Sequence, residues 1–234
     1  MRKPFDDEDL PVLDANTYVK ETALALWDGL PRELLASFFF AMVSLPAIIL
    51  GLVMGYLILA ILLGVFSMGP GWLAMCAVIK RTILRELNSS ILDFFKDFIH
   101  FYKRGAILGA FIAIPLVSAA WCLPLLQLNP VPNIIWVSLG ADVAGLFFLT
   151  ALYMYVCPQI VLYDAAIRPA MTNSLILAIR YLTNTLGLIA LAGLLAFLAF
   201  KVSFFLLLVL PAFWLVFVIN NCRMVLRLEL QKLK

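Results

Sequence analysis

Leu34 to Ile79 reads LLASFFFAMVSLPAIILGLVMGYLILAILLGVFSMGPGWLAMCAVI, without one charged side chain. A hydrocarbon core about 30 Å thick is crossed by about 20 helical residues, so this one stretch holds two crossings. The rest of the chain repeats the pattern. Hydrophobic residues make up 65% of the 234 positions and charged residues 13%. In lipid every backbone N–H and C=O must be satisfied within the chain, which leaves helices or closed barrels. Runs of this length and continuity specify helices. The sequence therefore predicts an all-α, polytopic membrane bundle of about six transmembrane helices with interfacial amphipathic helices.

Working outward, residues 1–33 read as an acidic N-terminal arm. Asp6-Asp7-Glu8-Asp9 lies between Pro4 and Pro11. No basic n-region precedes a short apolar segment, so a cleaved signal peptide is not expected and the first span serves as its own insertion signal. From Thr17 to Leu30 the pattern turns helical. Val19, Ala23, Leu26, Trp27 and Leu30 fall at helical spacing, with Lys20, Glu21 and Asp28 on the other side. This fits an amphipathic helix on the membrane surface or an early turn of the first span.

The transmembrane bundle is expected over 34–224. Its first span is placed at about Leu34–Phe66, with Pro46 as a kink site. Ser67-Met68-Gly69-Pro70-Gly71 is read as a turn, and a second helix runs from near Trp72 towards Leu87. Asn88-Ser89-Ser90 breaks it. Residues 91–104 carry Ile91, Phe94, Phe95, Phe98 and Tyr102 on one face. Asp93, Lys96, Asp97, His100, Lys103 and Arg104 lie on the other, a division suited to the headgroup boundary. Further spans are expected from Gly105 to about Leu126, over Ile134–Tyr163 with Pro158 near its end, to near Phe200, and over Phe204–Ile219. Asn220-Asn221-Cys222-Arg223 opens a basic cytoplasmic tail, with residues 225–234 as its last part.

With six spans, sixteen of the seventeen Lys and Arg residues fall on the side of the termini, and Lys201 stands alone on the other. The positive-inside rule then places both termini and the interfacial segments in the cytoplasm, which for a bacterial protein means the inner membrane. If residues 67–87 do not cross, five spans remain and the N-terminus lies outside. Phe95–Ala113 loosely parallels Leu177–Leu195, a hint of an internal repeat.

Few residues offer chemistry. A single histidine, His100, on the charged interfacial face, excludes bis-histidine haem, a His-rich metal site and an H-E-x-x-H protease. Cys76, Cys122, Cys157 and Cys222 lie far apart in apolar segments and read as packing residues. No G-x-S-x-G and no phosphate-binding loop occur. The basic residues follow the membrane boundary and suit lipid headgroups rather than nucleic acid. No cofactor and no enzymatic activity are expected.

Asp142 is the exception, an acid about 12 Å below the outer surface if the fourth span begins at Ile134. A carboxylate there costs several kcal/mol unless it is paired, protonated or hydrated. If the second helix starts near Pro70, Lys80 and Arg81 lie at a similar depth, and an ion pair from Asp142 to one of them is expected. It would line a solute path or fix helix register. Gly51-Leu-Val-Met-Gly55 and Gly105-Ala-Ile-Leu-Gly109 match the G-x-x-x-G spacing of close helix packing.

The layout resembles the YesL-like family of uncharacterised bacterial membrane proteins. The matching residues are Gly69-Pro70, Lys80-Arg81, Asp93-Phe94-Phe95 with Phe98, Pro158 to Asp164, and Ala178-Ile179-Arg180. The resemblance implies an association with carbohydrate ABC-transport components and supplies no catalytic residues. The expected function is a non-enzymatic accessory or assembly subunit. It would work in the lipid bilayer by contact with another membrane protein or a second copy. A small-solute transporter or channel with an Asp142/Lys80 site is the alternative.

Overall fold

The computed structural model describes residues 15–84, 92–127, 130–202 and 209–232. The acidic run at Asp6–Asp9, the expected break at Asn88–Ser90, the start of the last span at Phe204 and the end of the tail lie outside them. Within them the chain forms α1 (Ala15–Val53), α2 (Leu57–Ile83), α3 (Asp93–His100), α4 (Tyr102–Cys122) with a 3-10 turn (Leu123–Gln127), α5 (Asn133–Tyr163), α6 (Ile167–Arg180), α7 (Leu182–Val202) and α8 (Leu210–Lys232). No strand occurs among the described residues. Six helices, α1, α2, α4, α5, α7 and α8, are long and apolar enough to cross a membrane.

The first hairpin turns earlier than the sequence suggests. Ser67–Gly71 lies inside α2, and Pro70 is one of its buried residues. The chain reverses instead at Met54-Gly55-Tyr56, where Gly55 has φ +75° and the Gly55 N–H donates to Leu52 O at 2.9 Å. A left-handed residue at a helix C-terminus is the usual place for glycine. The physical reason for the difference is the solvent. Gly-Pro ends a helix in water, where freed backbone groups find water molecules. In lipid they do not, so the helix runs through. Ser67 Oγ, one turn away, donates to Gly64 O at 2.9 Å.

α2 is the central element and touches α1, α3, α4, α5 and α8. Close approach is set by glycines. A Cβ on Gly69 would overlap the backbone of Gly105, and one on Gly105 would overlap Pro70 and Gly69. Gly51 meets the Ala60 backbone in the same way, and Gly109 meets Val65. A Cβ on Gly55 would meet nothing within 4 Å, so this glycine serves the turn and not packing.

The buried stripe of α1 is Thr22, Leu26, Gly29, Glu33, Ala36, Ser37, Phe40 and Ser44, spaced by three and four residues. The expected apolar face is split, with Leu26 buried and Val19, Ala23 and Trp27 exposed along with Lys20 and Asp28. Val19 is 65% exposed and Trp27 76%, while the face with small and polar residues points inward. In a bilayer the exposed apolar residues meet their preferred solvent outside. Residues 15–33 belong to α1, the continuous-helix alternative to a separate surface helix. Likewise Asn220 to Arg223 lies inside α8, where Asn220, Asn221 and Cys222 are buried.

Candidate functional site

The predicted pair between Asp142 and Lys80 or Arg81 does not form. Lys80 Nζ donates to Val161 O at 3.0 Å and Leu162 O at 3.4 Å. These are last-turn carbonyls of α5, which have no partner in their own helix. Val161 lies nineteen residues beyond Asp142 on α5, about 28 Å along the axis. The expected match in depth is lost because α2 begins at Leu57 and not near Pro70. Arg81 pairs with Asp97 and so ties α2 to α3.

Phe94, Phe95 and Phe98 of the expected interfacial face pack against the protein core. Phe94 is fully buried, with ring centroids 5.8 Å from Phe39 and 5.6 Å from Phe95. Phe95 lies 5.1 Å from Phe39. Phe98 packs against the core, whereas Tyr102 is largely exposed. Lys96, on the outer face, binds Asp93 at 2.8 Å, and that hydrogen bond raises its pKa above the ordinary lysine value. His100 is exposed, its ring edge-on to Phe101 at 4.7 Å.

The ends of α2, α5, α6 and α8 and the starts of α3 and α4 carry the ion pairs seen among the described residues. Arg104 meets Asp164 at 2.5 Å, and Arg180 meets Glu229, which also accepts from Tyr181 OH at 2.6 Å. Above this charged belt lies a buried polar layer built on α8. Asn220 Nδ2 donates to Thr22 Oγ1 of α1 at 3.2 Å, and Tyr18 OH donates to Phe217 O at 3.0 Å. Asn221 Nδ2 donates to Tyr155 OH of α5 at 3.4 Å and its Oδ1 accepts from Asn184 of α7 at 3.2 Å. Tyr155 OH lies 3.1 Å from Thr185 Oγ1, and Gln159 Nε2 donates to Ser174 Oγ at 2.9 Å. A network whose members satisfy one another fixes helix register, and its chemistry is exhausted by doing so.

Three residues depart from that rule. Among the described residues, Glu33, Ser44 and Asp142 each have a buried side-chain oxygen without a hydrogen-bond partner. Glu33 is 2% exposed and sits between α1 and α2 beside Gly29 and Thr82. In the sequence it falls at the end of the acidic arm and draws no notice. Its place on the three-and-four stripe with Leu26, Gly29, Ala36 and Phe40 is the signal that could have found it. Asp142 is half-buried on the outer part of α5, where its Oδ2 is shielded. Its neighbour Val143 is 68% exposed.

A chamber of about 430 Å³, open on one side, also lies between α1, α2, α4, α5 and α8. Phe40, Val65, Trp72, Leu108, Ile112 and Trp214 are among its walls.

No family model matches the chain, and no solved structure matches it. The protein YteU of Bacillus subtilis (strain 168), described as uncharacterised, is 30% identical over 166 residues, covering 69% of this chain and 70% of YteU. By that likeness the chain, a helical protein with six candidate membrane spans, belongs to the family of YteU.

Proposed function

We propose that the protein is a non-enzymatic accessory or assembly subunit of the bacterial inner membrane that works by lateral contact with another membrane protein. The YesL-like resemblance carries the same proposal further, to work alongside carbohydrate ABC transporters. The observation that supports the reading is the outer part of α5. Before Ala151 only Ile135 of this helix is buried, whereas eleven of the twelve residues from Ala151 to Leu162 are. That more exposed part holds Asp142, itself half-buried. A carboxylate on an otherwise apolar helix is costly in lipid, and a neighbouring helix with a basic or amide side chain would complement it. Asp142 and Lys80 are too far apart to share one solute site, so the transporter alternative loses the pair it rested on.

Gentle detergent extraction followed by identification of co-purifying chains tests the reading. A stoichiometric membrane partner is expected with the wild type. Asp142→Leu should reduce its recovery about tenfold, and Asp142→Asn less, since an amide keeps a hydrogen bond worth about 1–2 kcal/mol. A lone monodisperse chain, unchanged by Asp142→Leu, would refute it. The proposed cytoplasmic placement of both termini rests on the Lys and Arg bias. A membrane-impermeant amine reagent applied to intact cells should modify Lys201 and spare Lys96. The reverse pattern inverts the topology.

A further inference from the structure

We propose that the chamber is a binding site for the methyl-terminal end of a phospholipid acyl chain drawn from the surrounding bilayer. This goes beyond the subunit reading and does not depend on it.

The chemistry of the wall selects the ligand. Three of its polar groups are committed elsewhere. Thr150 Oγ1 donates to Leu146 O at 2.8 Å, Tyr153 OH donates to Leu108 O, and Trp214 Nε1 donates to Leu188 O at 3.0 Å. The remaining lining is Phe, Leu, Ile, Val, Met, Pro, Gly, Trp and one thiol. A sugar, nucleotide or ion entering it would lose its water and gain almost no hydrogen bonds in return. A hydrocarbon chain loses nothing, and the two indoles, 5.8 Å apart by ring centroid, offer it a broad apolar surface. The volume lies within the roughly 300–1,000 Å³ of small-ligand sites.

Depth selects which part of the lipid enters. The exposed wall residues are Met68 and Thr150. Each lies two residues from the midpoint of its helix, α2 over Leu57–Ile83 and α5 over Asn133–Tyr163. The mouth therefore opens near the bilayer midplane. Headgroups and glycerol backbones sit about 15 Å away, at the edges of a core about 30 Å thick, and only chain ends reach the midplane.

The five tryptophans provide the test. Trp27, Trp121 and Trp136 are exposed. Replacing them with Phe leaves Trp72 and Trp214, both in the chamber wall. The protein would be reconstituted in phospholipids brominated either near the chain terminus or near the carbonyl. Quenching by terminal bromines is expected to exceed quenching by carbonyl-proximal bromines at least about twofold. Obstructing the chamber and its mouth with Met68→Phe, Ile112→Phe and Thr150→Phe (the filled variant) should remove most of that excess without changing monodispersity. Native mass spectrometry should find one phospholipid per chain that survives detergent washing, lost in the filled variant. Equal quenching from both bromine positions would overturn the proposal. So would terminal quenching that persists unchanged in the filled variant, since the bromines would then act from outside the wall. If the filled variant does not fold, the comparison of bromine positions and the retained lipid in the unfilled protein still decide.

Discussion

The glycines of the first three spans and those of α5 and α7 look alike in sequence and behave in opposite ways. Gly51, Gly69, Gly105 and Gly109 sit where a Cβ would meet another helix at or inside contact distance. Gly140, Gly187 and Gly193 have nothing within 4 Å. The first set brings backbones together, so van der Waals contact does the work that the hydrophobic effect cannot do between apolar surfaces in lipid. The second set lies on surface that the protein itself does not cover. The same contrast divides α5, whose inner part is core and whose outer part is mostly not buried. One chain thus combines a consolidated half, knit by α2 and α8, with a half that its own helices leave open. The open half is where Asp142 lies.

Substitutions in the two halves can break that comparison. The largest effect is expected from Gly105→Leu, because its side chain would have to displace the backbone at Gly69-Pro70. Overpacking of this kind costs about 3 kcal/mol or more, and thermal unfolding in detergent should show a large fall or no folded protein at all. Gly187→Leu should leave the unfolding temperature unchanged or slightly raised, because the site is open and glycine within a helix is about 1 kcal/mol worse than a good helix former. Equal losses at the two positions would mean that the open half is packed after all. A smaller contrast is expected from aromatic truncation. Phe94→Ala removes a fully buried ring and should cost about 3 kcal/mol. Phe200→Ala, at a residue 74% exposed, should shift stability by less than about 0.5 kcal/mol. A large loss at Phe200 would sharpen the picture by pointing to a further contact on α7.

Much of the fold is readable in the sequence. The third, fourth and fifth spans fall close to their expected places, the last runs on past Ile219 to Lys232, and the short helices α3 and α6 lie between spans as the charge pattern indicates. The differences share a cause. Ser67–Gly71 ends a helix only by the rules that hold in water, and in lipid the first turn moves by about a dozen residues. That shift changes the depth of Lys80 and removes the pair with Asp142. The sequence does not say which side of residues 19–30 meets the bundle, and there Leu26 turns inward while Val19 and Trp27 face out. Asn220 and Asn221 resemble the start of a tail because amides are rare in spans. They are instead the centre of the buried polar layer, satisfied by Thr22, Tyr155 and Asn184.

Hydropathy along the chain pointed to lipid as the solvent, to helix as the backbone solution and to about six candidate crossings, because each is a property of a single segment taken alone. Which face of each helix turns inward, where the first hairpin closes, what Lys80 meets and where the chamber lies were decided only in three dimensions. Lipid and protein interior are equally apolar, so polarity cannot tell a side chain which of the two to face. Close fit between backbones and the mutual satisfaction of buried polar groups make that choice, and both belong to pairs of residues far apart in the chain.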